Sequence, residues 1–204
     1  MKILYYKIII VLSLFSLISC NESEKEEIKT TEPSSPISIE ETPVEEIPQT
    51  VDERINDIRT WYSQIQNLGL KNCKQKTRVK YDSFSPETEK IPFDQVASRC
   101  KLSDEFELIE GNFSGYEWSN TVHIYKKNQK IFFIFIEGGA ESWSFERRYY
   151  CDKDENVIRH LEREAEGGEE VRGPQKEMKI NNQNIRDYLK SDFDELELIL
   201  RGKI

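Results

Sequence analysis

The chain has 204 residues, a formal net charge of −9 and a sequence pI of about 5.0. The charge is uneven, because residues 21–53 contain eleven acidic side chains and two lysines, residues 1–20 contribute +2, and residues 54–204 retain only −2. A nucleic-acid-binding protein needs a clear basic surplus, so the composition excludes DNA and RNA as partners. Residues 54–204 have the length of one ordinary domain.

The first 20 residues have the pattern of an export signal. Lys2 and Lys7 form a basic start, residues 8–18 form an apolar run, and acidic residues follow directly after Cys20. A transmembrane helix needs about 20 apolar residues, so a run this short is typical of a signal peptide. It ends in Leu17-Ile18-Ser19-Cys20 and lacks the A-x-A-like cleavage site of an ordinary secretory signal.

The ending Leu17-Ile18-Ser19-Cys20 resembles the lipobox of bacterial lipoproteins. The resemblance implies that residues 1–19 are a removable signal peptide and that Cys20 receives diacylglycerol, with fatty acylation such as palmitate on the new amino terminus. Two or more acyl chains hold a protein stably on a bilayer. Asn21 stands where inner-membrane lipoproteins of enterobacteria have Asp, which implies the outer membrane, facing the periplasm or the surface. A secretory signal without lipid is the alternative.

Residues 20–52 are predicted to be a disordered tether after the lipidated cysteine. They contain no aromatic residue and no glycine, glutamate dominates, and four prolines interrupt them, namely Pro33, Pro36, Pro43 and Pro48. Such a segment buries too little apolar surface to offset the entropy of ordering, and proline with repelling charge keeps it extended. An acidic tail that binds a basic partner is the alternative.

Residues 53–204 are predicted to be a single α+β domain. Ile55, Ile58, Ile65 and Leu68 recur at helical spacing and indicate a helix over 52–68 that ends at Gly69. The residues up to Cys100 look less regular, with one short strand over 76–84. Helical spacing returns over 182–201, and both helices are expected to pack on one face of a sheet.

Strand patterns fill the region between residues 104 and 166. Alternation at 106–110 indicates one strand, and Gly111-Asn112 is expected to turn the chain into another over 113–125. The run KIFFIFIE at 130–137 is apolar on both faces, as in a covered central strand. With the segments 143–151 and 157–164, the spacing predicts an antiparallel β-meander of four to five strands.

The segment 115–164, especially FERRYYCDKDENVIRHLERE, resembles hairpins in uncharacterised bacterial secreted and lipoprotein domains. The resemblance implies an architecture and brings no catalytic residue with it.

The cysteines offer one disulfide. With Cys20 lipidated, Cys73, Cys100 and Cys151 remain in a compartment where disulfides persist. We favour Cys73 with Cys100, because this bridge would join the two ends of the irregular region, and Cys100 with Cys151 is the alternative. A leftover Cys151 is expected to be a buried thiol, with a nucleophile activated by His160 as the alternative.

One turn has the residue types of a calcium loop. Asp152, Asp154 and Asn156 offer alternating oxygen ligands, but Val157 stands where such a loop needs glycine and Arg163 where it needs a closing glutamate. Acidic and Asn residues also favour tight turns for backbone reasons. We therefore expect no metal and no cofactor besides the covalent lipid.

Carboxylates and aromatic residues supply two further candidate surfaces. Glu137, Glu141 and Glu146 could pair as in glycosidases, although such proximity is common on a chain that is 33% charged. Four aromatic residues, Trp118, Trp143, Tyr149 and Tyr150, could line a ligand or glycan face, although strand aromatics are more often core residues.

No complete catalytic signature is present in the sequence, since it lacks a nucleophile elbow, a phosphate-binding loop and an HExxH zinc motif. The sequence therefore favours a membrane-anchored envelope lipoprotein with a small non-enzymatic module that binds a protein or glycan, or has a structural role. The alternatives are a hydrolase acting on envelope or extracellular polymer through the carboxylates of Glu137–Glu146, and an immunity or inhibitor protein.

Overall fold

The structure is a computed structural model that describes residues 49–70, 72–83, 85, 87–166, 171 and 173–202. The predicted signal peptide, the lipidation of Cys20 and the tether up to residue 48 lie outside the described residues. Residues 46–204 form a compact unit of their own. Within the described part of the chain, no helix is both long enough and apolar enough to span a membrane.

The described residues form an α+β domain of three helices and eight strands. The helices are α1 (Val51–Leu68), α2 (Ile185–Tyr188) and α3 (Lys190–Leu200). The strands are β1 (Cys73–Asp82), β2 (Ile91–Lys101), β3 (Phe106–Ser114), β4 (Trp118–Lys127), β5 (Lys130–Ala140), β6 (Trp143–Cys151), β7 (Val157–Glu166) and β8 (Lys176–Glu177).

All eight strands belong to one antiparallel sheet in which strand order follows sequence order. The prediction of four to five strands was therefore too low. It missed β2 and β8 and gave β1 only in part. β1 has a largely exposed, polar sequence and β2 begins next to Pro92, so neither shows the apolar alternation of a half-buried strand.

The predicted turn at Gly111-Asn112 is wrong. Both residues lie inside β3, and the chain reverses at residues 115–117 instead. Gly111 is needed for packing, since a Cβ there would lie 2.3 Å from a methyl carbon of Leu196 in α3. The glycine lets the helix approach the strand backbone closely.

The helices cover opposite faces of the sheet, which corrects the expectation that they share one face. The face under α1 is here called the aromatic face, and its buried residues include Phe106, Leu108, Tyr125, Phe133, Tyr150 and Leu161. The face under α2 and α3 is called the aliphatic face, and its buried residues include Ala97, Ile109, Val122, Ile124, Ile134 and Ile136. Alternation along β5 supplies both faces, as its sequence predicts.

The α1 helix begins one residue before the predicted position and has a complete capping box. The Thr50 hydroxyl accepts a hydrogen bond from the Glu53 amide, and the Glu53 carboxylate accepts one from the Thr50 amide at 2.8 Å. Ile55, Ile58 and Ile65 form the buried ridge of the helix. Gly69 ends it with φ of 66°, a conformation that favours glycine.

The C-terminal segment contains two helices where the sequence predicted one. The helical conformation is interrupted at Leu189 (φ −112°, ψ 38°), and this residue separates α2 from α3. Ile185 from α2 and Leu196 and Ile199 from α3 enter the core on the aliphatic face. Glu195 connects α3 to β1 through ion pairs with Arg78 and with Lys80, the latter at 3.0 Å.

A disulfide joins Cys73 to Cys100, consistent with the favoured pairing. The two cysteines are register partners at one end of the β1–β2 hairpin. Cys151 is a free thiol and fully buried.

Candidate functional site

A pocket of about 310 Å³ lies between α1 and the aromatic face. Its walls combine apolar, aromatic and polar side chains: Ile58, Arg59, Tyr62, Ser63, Phe133, Phe135, Arg148, Tyr150, Leu161 and Gln175. Small-molecule sites are concave and combine apolar and aromatic surface with a few convergent polar groups. This pocket has both kinds of surface in similar amounts and is the candidate functional site.

The floor of the pocket comes from alternate residues of three neighbouring strands. Phe133 and Phe135 belong to β5, Arg148 and Tyr150 to β6, and Leu161 to β7. Phe133 pairs with Tyr150 and Phe135 with Arg148 in the sheet register. Because side chains two residues apart point to the same side of a strand, the register alone brings these residues together.

The wall of the pocket comes from two successive turns of α1. Ile58 and Tyr62 lie four residues apart, as do Arg59 and Ser63, so each pair occupies one line along the helix. The Tyr62 ring meets Phe133 edge-on, with 5.4 Å between ring centroids. An edge-to-face contact of this kind fixes the ring orientation.

The α1 helix is held on the sheet by contacts of Arg54 and Trp61, in its amino-terminal half and middle. The Arg54 Nε donates a hydrogen bond of 3.1 Å to the backbone oxygen of Cys151. Trp61 packs edge-on against Phe132 at 5.4 Å, and the Lys127 ammonium lies 4.5 Å from the Trp61 ring centroid. The pocket wall is therefore held by contacts outside the pocket.

Arg148 is oriented by three neighbours. Its Nη2 donates to Glu146 at 3.2 Å, and its guanidinium lies 5.6 Å from the Phe135 ring centroid. With the amide oxygen of Gln175 turned toward β6, that oxygen accepts hydrogen bonds from Nε and Nη1 of Arg148, both at 3.1 Å. These bonds use three of the five N–H donors of the guanidinium, and the other two have no acceptor among the described residues.

Arg59 supplies a second positive charge to the pocket. Among the described residues, its guanidinium has no hydrogen-bond or ion-pair partner. Glu146 is shared, since its Oε2 also accepts from Arg163 Nε at 3.0 Å. One carboxylate thus faces two strand arginines, and the unpaired Arg59 leaves this side of the pocket positively charged.

A row of charged residues continues across the aromatic face beyond α1. His123 Nδ1 lies 3.3 Å from Glu110 Oε2, and His123 Nε2 lies 3.9 Å from Glu137 Oε1. The hydrogen bond from His123 lowers the pKa of Glu110. The His123 ring also stacks on Phe135 at 5.8 Å, which connects the row to the pocket floor.

The structure does not bring the three candidate carboxylates together in the pocket. Glu137 and Glu146 are register partners on β5 and β6, but Glu146 is bound by two arginines and Glu137 is half exposed beside His123. Glu141 is exposed in the turn between those strands. None of the three is a lining residue of the pocket beneath α1.

The candidate calcium residues form the turn between β6 and β7. Asp152 Oδ1 accepts hydrogen bonds from the backbone amides of Asp154 and Asn156, both at 2.8 Å, and Oδ2 accepts one from the Asn156 side chain at 3.1 Å. Each Asp152 oxygen is thus used within the turn. The described residues contain no group of three or more His, Cys, Asp or Glu side chains placed to hold a metal ion.

Cys151 and His160 are not placed as a nucleophile and its base. The register partner of Cys151 is Val157, whereas His160 pairs with Tyr149 and stacks on it with 4.3 Å between ring centroids. Burial raises the pKa of the Cys151 thiol. A neutral, fully buried thiol is a core residue.

The four candidate aromatic residues do not share a face. Tyr150 lies in the pocket, while Tyr149 is buried in the core of the aliphatic face. Strand alternation places Trp118 and Trp143 on that same aliphatic side, where they are 40% and 41% exposed. The four residues therefore do not form one ligand face, and the burial of Tyr149 agrees with the core role that strand aromatics usually have.

Most residues of the pocket were not identified from the sequence. The run KIFFIFIE indicated a strand covered on both sides, but it did not show which helix covers which face. The sequence predicts the helix that contains Arg59 and Ser63, but both residues lie on its exposed side and show no pattern that indicates a site. Only the pairing of α1 with the aromatic face makes them neighbours of Phe135 and Arg148.

The pocket combines a concave shape with aromatic surface and positive charge. Within the part of the chain that the structure describes, no cluster of metal-ligating side chains accompanies it. This combination can bind a small molecule and orient it through the two arginines. Comparisons of the chain with protein-family models, with curated proteins and with solved structures found no match.

Proposed function

We propose that this protein is a membrane-anchored bacterial envelope lipoprotein whose domain binds a ligand in the pocket between α1 and the sheet. The lipobox-like Leu17-Ile18-Ser19-Cys20 supports the anchor, and the acidic, proline-containing residues 21–52 support a tether. The disulfide between Cys73 and Cys100 fits an oxidising compartment. The outer membrane is the proposed location, with the domain facing the periplasm or the surface.

The observation that most supports a binding role is the pocket itself. It lies under a capped helix that is fixed to the sheet, its floor contains three aromatic rings, and its polar groups are few. Such a preformed site needs little reorganisation to bind a ligand. The pocket is small, so its ligand is a small molecule or a single side chain of a larger partner.

A hydrolase acting through Glu137, Glu141 and Glu146 has less support. A glycosidase pair flanks the scissile bond in a cleft, and one member needs a raised pKa to act as an acid. Glu146 is instead ion-paired with both Arg148 and Arg163, and it does not line the pocket.

The anchor is tested with a Cys20→Ser variant of the full chain in a bacterial host that processes lipoproteins. The wild-type protein should incorporate labelled palmitate and sediment with membranes. The variant should lose both properties, because the thiol that accepts the lipid is absent. Equal labelling and sedimentation of the variant would contradict the proposed anchor.

The pocket is tested on residues 21–204, which contain the compact unit formed by residues 46–204. N-phenyl-1-naphthylamine is a neutral fluorescent probe, and we expect it to bind with 1:1 stoichiometry. Ser63→Trp should weaken this binding at least tenfold by filling the pocket. Gln64→Trp is the matched control, because Gln64 is the next exposed residue of α1 and does not line the pocket.

Three observations would follow if the pocket binds the probe: saturation at one site, loss in Ser63→Trp and retention in Gln64→Trp. All variants should keep the far-UV circular dichroism and cooperative unfolding of the wild type. Equal binding by the two Trp variants would show that the probe binds elsewhere and would contradict the pocket as the functional site.

A further inference from the structure

We propose that the ligand of this pocket is a small amphipathic anion, with an apolar body and one carboxylate-like group. This inference rests on the proposed function, since it names the ligand class of the same pocket. Three features of the pocket favour such a ligand: the charge of its rim, its apolar floor and the geometry that joins them.

The rim has more positive charge than its own carboxylate neutralises. Arg148 and Arg163 share Glu146, and both donate to its Oε2. Arg59 adds a cation without a partner among the described residues. The described lining of the pocket thus contains two arginines and no carboxylate, while Glu146 and its register partner Glu137 lie outside it. The surrounding domain is slightly acidic overall, so the positive charge is local to the pocket and favours an anion there.

Two guanidinium groups suit a planar anion better than a neutral polar group does. A guanidinium presents a planar fork of donors that matches the two oxygens of a carboxylate. Among the described residues, Arg148 has two N–H donors left after its bonds to Glu146 and Gln175, and Arg59 has all five. Gln175 and Glu146 hold the Arg148 fork in place, so little side-chain entropy is lost when the ligand binds.

The remainder of the pocket requires an apolar ligand body. Phe133, Phe135 and Tyr150 supply the aromatic floor, and Ile58 and Leu161 add aliphatic surface. A fully polar anion such as inorganic phosphate would leave this surface without a partner and would prefer water. The ligand must therefore bury hydrocarbon and keep its charge near the arginines.

The charged and apolar parts of the site are adjacent in the sheet. Phe135 and Arg148 are register partners, and the Arg148 guanidinium lies over the Phe135 ring. Arg59 and Tyr62 show the same combination within one turn of α1. An anionic head and an apolar body directly joined to each other fit this arrangement, whereas a long polar linker between them does not.

The test compares two probes with the same skeleton. 8-Anilinonaphthalene-1-sulfonate is N-phenyl-1-naphthylamine with an added sulfonate, so the pair differs by one anionic group. With residues 21–204, we expect the sulfonate probe to bind at least tenfold more tightly than the neutral probe, as measured by fluorescence titration at low salt. Raising the salt to 0.5 M should weaken the binding of the sulfonate probe only, because screening acts on charge.

Three variants assign the charge dependence to the pocket. Arg59→Gln and Arg148→Gln should each weaken binding of the sulfonate probe about tenfold, the loss expected for one charged hydrogen bond, and each should weaken the sulfonate probe more than the neutral probe. Arg201→Gln is the control for net charge, since Arg201 is an exposed residue at the end of α3 and pairs with Glu197. It should leave both probes unchanged.

The outcomes separate this inference from the proposed function. If both probes bind equally and Arg59→Gln changes neither, the pocket binds apolar molecules and the anionic requirement is wrong. If neither probe binds, the pocket itself is wrong as the functional site. Because Arg59 is exposed and unpaired, its variant should fold normally, which thermal unfolding checks independently.

A competition experiment identifies the source of the anion. Decanoate represents a lipid-derived ligand, and 2-naphthoate represents an aryl carboxylate. Each is compared with its matched alcohol for displacement of the sulfonate probe. At least tenfold better displacement by one of the acids than by its alcohol supports the inference and shows which body fits. Equal displacement by acids and alcohols, or none by either acid, overturns it.

Discussion

The two faces of the sheet differ in how completely helices close them. On the aliphatic face, the Leu196 side chain of α3 packs directly onto Gly111 of β3, and the pocket beside α3 is smaller, at about 180 Å³. On the aromatic face, α1 rests on large rings and leaves a pocket of about 310 Å³ beside Arg59 and Arg148. The same sheet thus combines one face that supplies stability with one that is available for binding.

This difference arises from residue types that alternate along single strands. In β5, Ile134 is fully buried on the aliphatic face, and the next residue, Phe135, is half-buried in the pocket floor. In β6, Tyr149 and Arg148 show the same division. Stability and binding should therefore respond separately to substitutions at adjacent positions.

The largest effect on stability should come from the aliphatic face. We expect Ile134→Ala to lower the free energy of unfolding by about 3–4 kcal/mol, because it removes buried methyl groups from a tightly packed core. Binding of N-phenyl-1-naphthylamine should change less than twofold. Phe135→Ala should do the reverse, with a smaller loss of stability and at least tenfold weaker binding. Urea unfolding and fluorescence titration measure the two quantities, and equal behaviour of the two variants would erase the distinction between the faces.

The disulfide should have the next largest effect. A Cys73→Ser/Cys100→Ser variant should lose about 3 kcal/mol of unfolding free energy, because the bridge restricts the unfolded chain over a loop of this length. Cys151→Ser is the control for loss of a thiol. Intact mass after alkylation without reductant should show one bridge and one alkylated thiol in residues 21–204, and three alkylated thiols would contradict the structure.

Loss of the α1 cap should lower the free energy of unfolding by a smaller amount, and it should affect only the aromatic face. Thr50→Ala removes the hydroxyl that accepts from the Glu53 amide, and such a loss typically costs about 1 kcal/mol. Gln66→Ala changes an exposed residue of the same helix, leaves the capping box intact and serves as control. Hydrogen exchange should increase in α1 but not in α3, and an equal increase in both helices would show that the two faces unfold as one unit.

The smallest effect on the free energy of unfolding should come from His160 on the aliphatic face, and it should appear only at acidic pH. Burial lowers the pKa of His160, whose Nε2 has no partner among the described residues. Below the unfolded pKa of about 6.5, the unfolded chain binds a proton that the folded chain resists, so stability falls as the pH falls. His160→Gln should lack this part of the fall between pH 7.5 and 5.5 in urea unfolding.

His123→Gln is the matched control for that experiment, because His123 is the only other histidine and lies on the aromatic face beside Glu110. It should retain the fall in stability that His160 causes. A His160→Gln variant with the same pH dependence as the wild type would show that burial of this ring does not affect acid stability.

The sequence predicted the parts of the fold that depend on local periodicity. The helix over 52–68, the central strand at 130–137 and the hairpin of β6 and β7 follow from spacing that one segment reveals by itself. The edge strand β1 was underestimated because its side chains are mostly exposed. The turn at Gly111 was wrong because close packing against Leu196 and turn formation both favour glycine.

The candidate site depended on information that no single segment contains. Arg59 and Arg148 are far apart in sequence, and neither stands in a motif. Their proximity follows from the face on which α1 packs, which is decided by the fit of its ridge to the rings of β5 and β6. The carboxylates and the cysteine–histidine pair were proposed from residue type, and the observed register gives them other partners.

The sequential order of the strands has a consequence for how the pocket forms. Each hairpin can close as soon as its second strand is available, so the sheet can grow from β1 onward with short loop closures, which favours fast folding. The α1 helix comes first in the chain, yet the strand residues that line the pocket beneath it belong to β5, β6 and β7. A chain that emerges amino terminus first must therefore form most of its sheet before the helix can dock. For the same reason, ligand binding should be the last property that a refolding molecule regains.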